Sequence, residues 1–230
     1  MYFFTEIIRK YEIAYRDLVT FKTKSTNANV DDALLLNEEK DWYFICTALD
    51  VIGDTTLAIK DFLEYGFEGP GGMNDDGEKY LRLYGVLKAT YLQQEAISTL
   101  YNKINLRDSP DVSDKFETLG IREVRNKIGA HSTNIYSKRQ KGDKESYIPV
   151  RHSMSGHKFY YLNNERIAEE IWVDLAELLM EHLKLILELL DETYEKTIKT
   201  VYRGNQLKRN EELNKLTELR KLKNEILSVS

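Results

Sequence analysis

The sequence of 230 residues contains little cysteine and little proline, and both shortages restrict what the chain can be. Cys46 is the single cysteine, so the chain cannot form an internal disulfide. It lies in an apolar run, which predicts a small, buried side chain. With only three prolines and an abundance of Leu, Lys and Glu, the composition favours helices.

Long apolar runs are also missing. No stretch approaches the ~20 apolar residues that cross a bilayer. Near the N-terminus, charges at Glu6, Arg9 and Lys10 come too early for the apolar core of a signal peptide. Apolar residues make up 42% of the chain and charged residues 31%, as in soluble globular proteins. The sequence therefore predicts a cytoplasmic protein that has no membrane partner.

Glycine is concentrated in residues 66–77, which contain five glycines and Pro70 and must end any helix. The segment lacks the Gly-Lys-Ser/Thr ending of a phosphate-binding loop, so we interpret it as a connection. We find neither an internal repeat nor a low-complexity linker. We therefore expect one domain over residues 1–203, followed by a helix or tail over residues 204–230.

Apolar residues recur at the spacing of amphipathic helices along most of the chain. The pattern predicts an all-α fold with helices over residues 2–20, 38–64 and 78–102, a fourth containing residues 121–132, a fifth capped by Asn163 or Asn164, and a last one after Gly204. The polar segment 22–32 is predicted to be a loop. The fifth helix has a wide apolar face, and His182 within it is predicted to be a packed histidine.

One stripe of the third predicted helix consists of Tyr80, Tyr84, Leu87 and Tyr91. Residues at this spacing share one helix face. A tyrosine stripe can stack nucleic-acid bases, but packing in the core with the hydroxyls at its rim is commoner. We therefore predict that these side chains belong to the core.

Two short β-like runs, residues 147–150 and 158–162, follow the fourth helix and predict a hairpin. Pro149 cannot donate a ladder hydrogen bond, so we expect the first run at the edge of the sheet. His152 and His157 flank the turn, but two histidines fall short of the three or four ligands of a zinc site. A solvated turn without a metal is therefore expected here.

The most distinctive stretch is Ile121 to Ser132, which reads Ile-Arg-Glu-Val-Arg-Asn-Lys-Ile-Gly-Ala-His-Ser. It brings Arg125, Asn126 and His131 together within seven residues. On a straight helix, at about 100° per residue, Arg125 and His131 point roughly 120° apart. Their side chains can converge if the helix loosens at Gly129, or if a symmetry mate supplies the second group.

The run Arg-Asn-Lys-Ile-Gly-Ala-His, residues 125–131, resembles the signature of the HEPN superfamily, in which an arginine precedes a histidine by a few residues. The resemblance implies a bundle of about five or six helices, here with a short β-hairpin inserted after the motif helix. It also implies a homodimer formed through this helix, so that two motifs line one cleft. Many members are metal-independent endoribonucleases, including toxins of toxin–antitoxin and abortive-infection systems. Others have lost activity and serve as binding or scaffold domains.

Charge is distributed unevenly along the chain. Residues 121–160 contain nine Lys and Arg against three acids, a net charge of +6, whereas the whole chain carries −5 and the remainder therefore −11. A basic patch in an acidic protein is typical of a surface that binds a polyanion, although a solvated lysine-rich loop has the same composition. Because the patch coincides with the motif, it favours RNA or another phosphate-bearing ligand.

The residue types of the motif suit RNA cleavage without a metal or other cofactor, in which the 2′-hydroxyl attacks the adjacent phosphate. Histidine titrates near neutrality, so His131 is the candidate for proton transfer. The planar guanidinium of Arg125 suits phosphate binding and transition-state stabilisation, and Asn126 is predicted to position the histidine or the ribose. The resemblance implies a 2′,3′-cyclic phosphate and a free 5′-hydroxyl as products. The residues predicted to contact phosphates are Arg122, Lys127, Arg151 and Lys158.

Other interpretations stay open. The motif can be purely structural, with Arg125 paired to an acid and His131 capping the helix. The chain can be a non-catalytic HEPN-like module that binds RNA, a nucleotide or a protein. It can also be a helical assembly protein that associates through its last helix. A toxin or defence role would imply an inhibitory antitoxin protein as a further partner.

Overall fold

The computed structural model describes residues 2–26, 30–38, 40–72, 75–104, 112–130, 135–136, 144–163 and 169–227. Its helices are α1 (Tyr2–Thr26), α2 (Val30–Leu34), α3 (Asp41–Tyr65), α4 (Asp76–Lys103), α5 (Val112–Glu117), α6 (Gly120–Val124), α7 (Leu175–Val201) and α8 (Gln206–Leu227). Five of these, α1, α3, α4, α7 and α8, have 22 to 28 residues. The predicted all-α class is therefore confirmed, and α3 and α4 begin and end within three residues of their predicted bounds.

The strands are β1 (Ile135–Tyr136), β2 (Lys144–Glu145), β3 (Tyr147–Pro149), β4 (Lys158–Asn163) and β5 (Glu170–Asp174). β1 pairs antiparallel with β2, while β3, β4 and β5 form an antiparallel sheet in that order. The predicted hairpin is confirmed, with Tyr147 opposite Asn163 and Pro149 opposite Tyr161. Pro149 lies on an edge strand of this sheet, as its missing N–H requires.

Contacts divide the chain into two compact units. The first contains Met1–Leu57, Leu92–Asp114 and Leu183–Ser230, and the second contains Ala58–Tyr91 and Lys115–His182. The prediction of a single domain over residues 1–203 with a separate C-terminal segment stays a prediction.

The first unit is a helical bundle built on apolar stripes. On α1, Phe4, Ile8, Tyr11 and Tyr15 follow helical spacing and are at most 1% exposed. The stripe of α7 that is buried in this unit includes Leu183, Ile186, Leu187 and Leu190. Removing one such side chain from water contributes about 1.5–3 kcal/mol, which explains why these faces point inward.

A buried ionic network ties α8 to α1 and α7 within the first unit. The hydroxyl of Tyr11 donates to Asp191 at 2.5 Å, and Arg220 donates to both oxygens of the same carboxylate at 2.6–3.0 Å. Arg220 also donates to Glu195. Hydrogen bonds from Lys199 and Arg220 lower the pKa of Glu195. One carboxylate therefore joins three helices, and α8 packs along α1.

The second unit combines helices with the three-stranded sheet. Its β3–β4 turn is held by residues 66–68: Phe67 N–H donates to the carbonyl of Gly156 at 2.8 Å, and Gly156 N–H donates to the carboxylate of Glu68 at 3.1 Å. Gly66 has φ +57°, and a Cβ there would meet the Gly156 oxygen at 2.3 Å. The glycine-rich segment is thus a connection, as predicted, and Gly66 allows the turn to approach it.

The predicted fifth helix begins later than expected. Residues 170–174 form β5, which pairs with β4 from Glu170 to Asp174, and α7 starts only at Leu175. Ile171, Trp172 and Val173 are residue types that favour strands, and a strand partner overrides their helical spacing. The helix cap is Asp174, which accepts the N–H of Ala176 at 3.0 Å. Asn163 lies in β4, and Asn164 lies outside the described residues.

Two smaller predictions were also wrong. Residues 22–32 are not one loop, because α1 continues to Thr26 and α2 begins at Val30. Propagating an established helix is easier than starting one, so a polar segment can extend it. Cys46 is only half-buried rather than fully buried, and burial raises the pKa of its thiol.

α3 is the one helix of the described ranges that is long and apolar enough to cross a membrane by length and composition. Its most apolar 18-residue window has a mean hydropathy of 1.2, and 44% of that window is buried in the protein. Core helices of soluble proteins have the same properties. Ile45, Leu49 and Ile52 of α3 belong to the core of the first unit.

Candidate functional site

The motif begins where the helix changes type. α6 covers Gly120–Val124, and Arg125–Ala130 continues it as a π-helix. A π-turn within a helix is rare and often accompanies a functional site, because it redirects side chains. The helix therefore loosens, which was one of the two expected routes to convergence, but the loosening starts at Arg125 and includes Gly129. His131 lies outside the described residues.

Arg125 is held by an aromatic ring and an amide. Its guanidinium carbon lies 3.9 Å from the centroid of the Tyr91 ring on α4, and its Nη1 donates to Oδ1 of Asn126 at 2.8 Å. Both motif residues are half-buried. Within the described ranges, no carboxylate lies within ion-pair distance of Arg125. If the motif were purely structural, we expected an acidic side chain to pair with Arg125. None of the described residues does so.

The geometry gives Arg125 a fixed direction, and no carboxylate among the described residues neutralises its charge. A ring below the guanidinium restricts its rotation, and cation–π attraction contributes about 0.5–1 kcal/mol at a partly exposed site. Asn126 occupies one of the five N–H donors of the guanidinium. Such an arrangement can receive a phosphate through the other donors without first breaking an ion pair with any residue that the structure describes.

Lys127, by contrast, is already engaged. Its ammonium donates to Glu123 at 2.6 Å and to the Tyr161 hydroxyl at 3.3 Å, and it lies 5.1 Å from the centroid of Tyr147. Burial works against its charge, but the hydrogen bond to Glu123 and the Tyr161 hydroxyl raise the pKa of Lys127 overall. Lys127 therefore connects the π-helix to β3 and β4.

The other predicted phosphate contacts also have acidic neighbours. Arg122 pairs with Glu117 at 2.7 Å and is mostly buried. Lys158 pairs with Asp174 at 3.1 Å. Arg151 is well exposed, lies 5.9 Å from the ring centroid of Tyr80, and is 3.6 Å from Asp76. Together with Lys127, these residues all belong to the second unit. They differ in how closely an acidic side chain neutralises each of them.

Tyr80, Tyr84 and Tyr91 of α4 are not among the buried core residues, so that prediction was wrong for them. Tyr84 is 44% exposed, and Tyr80 and Tyr91 are half-buried. The rings of Tyr80 and Tyr84 are nearly parallel, with centroids 6.0 Å apart. Leu87 is buried as predicted, and the other buried apolar residues of α4 in this unit are Leu83, Val86 and Ala89. Those smaller apolar residues form the buried face and leave the tyrosines at its border.

The histidines of the second unit make separate contacts. Nε2 of His152 lies 3.1 Å from the Tyr160 hydroxyl and is exposed, as expected for a solvated turn. His157 is half-buried, with its Nε2 3.1 Å from the Leu63 carbonyl and its ring edge-on to Phe62. The described residues contain no group of three or more His, Cys, Asp or Glu that could hold a metal ion. His182 is fully buried as predicted, and burial lowers its pKa to about 3.

Comparisons of the chain with protein-family models, with curated proteins and with solved structures found no match. The functional hypothesis therefore depends on the geometry around Arg125 and on the motif that contains it.

Proposed function

We propose that the protein is a metal-independent endoribonuclease of HEPN type, in which Arg125 binds the scissile phosphate and His131 transfers the proton. The observation that carries this proposal is the guanidinium of Arg125, which is fixed over Tyr91 at the start of the π-helix and which none of the described carboxylates neutralises. An enzyme gains from a cation that is already oriented, because no reorganisation is needed when charge develops on the phosphate.

The reaction requires one bond to form and one to break. The 2′-oxygen of the ribose attacks phosphorus and gives its proton to a histidine base, and the bond from phosphorus to the 5′-oxygen breaks. The leaving oxygen takes a proton from a general acid, which leaves a 2′,3′-cyclic phosphate and a 5′-hydroxyl. Arg125 stabilises the charge on the non-bridging oxygens, and Asn126 fixes the guanidinium through its amide oxygen.

A single His131 cannot easily serve as both base and acid in one turnover. We therefore propose a homodimer in which two copies of the motif face one cleft. We also place the protein in the cytoplasm, as a toxin or phage-defence ribonuclease whose partner is an inhibitory antitoxin protein.

The test is cleavage of labelled single-stranded RNA in EDTA by the wild type, His131→Ala and Arg125→Lys, with analysis of the product ends. Arg125→Lys keeps a charge but loses the planar fork, so the rate should fall by about 10²–10³-fold. His131→Ala should show no cleavage. Arg209→Lys, in α8 of the first unit, is the matched control and should cleave like the wild type.

Cyclic phosphate ends and loss of cleavage in both motif variants would support the proposal. Cleavage that survives in His131→Ala, or products with 3′-hydroxyl ends, would contradict it. Sedimentation of each variant checks that the proposed dimer is retained. A loss of cleavage can then be assigned to the substituted side chain and not to dissociation of the dimer.

A second function, RNA binding without cleavage, is favoured by one specific observation. Tyr91 lies beside Arg125, Tyr80 lies beside Arg151, and Tyr84 stacks on Tyr80. This arrangement suits binding of bases and phosphates whether or not a bond is broken. Retention of RNA binding in a wild type that never cleaves would identify this function.

A further inference from the structure

The border of α4 in the second unit carries three aromatic side chains that solvent can reach. We call Tyr80, Tyr84 and Tyr91 the tyrosine face. The face runs along one helix, with Tyr84 the most exposed of the three at 44%. The rings of Tyr80 and Tyr84 are only 18° from parallel. Accessible aromatic rings beside cations are typical of surfaces on which nucleic-acid bases stack, which is a reason to look for a ligand that covers them.

Cations lie on both ends of the tyrosine face. Arg125 lies over Tyr91 at 3.9 Å, and Lys88 of the same helix lies 4.8 Å from the Tyr91 centroid. At the other end, Arg151 lies 5.9 Å from the Tyr80 centroid. The pair between Arg151 and Asp76 is exposed and 3.6 Å long, so a phosphate can replace it at little cost. Rings with positive charges at both ends offer contacts for both the bases and the phosphates of a nucleic-acid strand.

We propose that the tyrosine face is a stacking surface for single-stranded nucleic acid, which leads the strand to Arg125. The inference deepens the proposed function, because both use Arg125 as the phosphate contact. The face suits a single strand because flat rings take bases of any sequence and the flanking cations follow the backbone. A duplex cannot use it, since its bases are already stacked on each other.

The length of the face sets the size of the probe. Tyr80 and Tyr91 are eleven positions apart in the sequence. At about 1.5 Å per residue along a helix they are separated by roughly 16 Å, which corresponds to about five nucleotides at a stacked rise of ~3.4 Å. A single strand of about 15 nucleotides therefore covers the face and extends beyond it at both ends.

The experiment measures binding of the full chain to fluorescent oligo-dT of this length by anisotropy at low salt. DNA has no 2′-hydroxyl, so it cannot be cleaved by the proposed reaction, and its binding is independent of catalysis. Tyr84→Phe keeps the ring and should bind like the wild type. Tyr84→Leu keeps an apolar side chain without a ring and should bind at least about fivefold more weakly, since stacking on one aromatic contributes about 1–3 kcal/mol.

Tyr43→Leu is the matched control. Tyr43 is 68% exposed on α3 and belongs to the first unit, so its loss should leave binding unchanged. Lys88→Glu reverses a charge at an exposed position. This second variant tests the inference even if the protein does not fold with a substitution at Tyr84. It should also weaken binding at least about fivefold at low salt. Thermal unfolding of each variant confirms that it is folded.

Several results would overturn the inference. These are a wild type that does not bind oligo-dT, equal affinity for Tyr84→Leu and Tyr84→Phe, or equal affinity for duplex and single strands. A Tyr84→Leu variant that loses self-association but not oligo-dT binding would show that the tyrosine face is a protein interface. The proposed ribonuclease fails separately: oligo-dT binding that depends on Tyr84, without any cleavage of RNA, overturns the enzyme and leaves the stacking surface.

Discussion

Arginine and tyrosine meet in both units of the protein, but their surroundings differ. In the first unit, Arg220 and Tyr11 share the carboxylate of Asp191, and Glu195 accepts a further bond from the guanidinium. In the second unit, Arg125 lies directly on the Tyr91 ring, and none of the described carboxylates pairs with it. The first arrangement neutralises the positive charge with carboxylates, whereas in the second the described residues offer the guanidinium a ring and an amide oxygen.

The tyrosines themselves follow the same division. Tyr11 and Tyr15 are fully buried, and burial raises the pKa of both hydroxyls. Tyr80 and Tyr84 present their rings to solvent instead. Residue type alone therefore does not distinguish the enclosed, ion-paired groups of the first unit from the accessible groups of the second. What differs is whether a described carboxylate pairs with the arginine and whether the tyrosine ring is enclosed in the core.

The largest expected effect concerns the network of the first unit. Asp191→Ala removes the acceptor of both Tyr11 and Arg220. Because a hydrogen bond to a charged group contributes about 1.5–3 kcal/mol, losing the bonds from these two donors should cost about 3–5 kcal/mol of unfolding free energy. Asp50→Ala is the matched control, because the pair of Asp50 with Arg16 is exposed and should cost below about 1 kcal/mol. Urea unfolding measures both. Equal losses in the two variants would show that the network contributes no more than a surface pair.

The second effect tests whether the core of the second unit excludes water, although the tyrosine face of that unit is exposed. His182 is fully buried there, and burial lowers its pKa from 6.5 to about 3. Below pH 6.5 the unfolded chain therefore binds a proton that the folded chain does not, so stability falls as the pH is lowered. The loss is about 1.4 kcal/mol per pH unit, or roughly 2 kcal/mol between pH 6.5 and 5.

Urea unfolding of the wild type and of His182→Leu at several pH values between 5 and 7 measures this slope. The variant should show a smaller slope, whatever its absolute stability, because carboxylates contribute equally to both proteins. Parallel slopes would mean that His182 is protonated in the folded protein or reached by water.

Much of the fold followed from periodicity. Apolar residues of α3 and α4 repeat at helical spacing, and glycines and Pro70 end the connection between them, so both helices were predicted closely. β5 was missed because Ile171, Trp172 and Val173 fit a helical pattern as well as a strand. Its pairing with β4 is a contact that local spacing does not reveal.

The candidate site was predictable in identity but not in arrangement. The motif indicated Arg125 and Asn126, and the structure places them in contact. Spacing also showed that Tyr80, Tyr84 and Tyr91 share a face, but not that Leu83 and Val86 would take the buried side of α4. Which of two apolar faces is buried depends on the neighbouring elements, and the sequence of one helix does not contain them.

A matched pair of arginine variants compares the two units directly. Arg220→Met should lower the free energy of unfolding by about 1–3 kcal/mol, since it removes charged hydrogen bonds to Asp191 and Glu195. Arg125→Met should lower it by less than about 1 kcal/mol, because it removes only a ring contact and one amide bond. Urea unfolding of both variants in the same buffer measures the two losses. An Arg125 variant as destabilised as the Arg220 variant would make Arg125 a structural residue.

The smallest effect separates cations that are already neutralised from those that can meet a phosphate. Lys127 is 2.6 Å from Glu123, whereas Arg151 is 3.6 Å from Asp76 and much more exposed. A phosphate contact on a single strand contributes about 0.7 to the slope of log affinity against log salt. Arg151→Met should therefore reduce the slope measured with oligo-dT by about that amount, and Lys127→Met should leave it unchanged. If Lys127→Met reduces the slope instead, the ion pair between Lys127 and Glu123 must break when the strand binds. An ion pair in the free protein would then not show that its cation is unavailable to a phosphate.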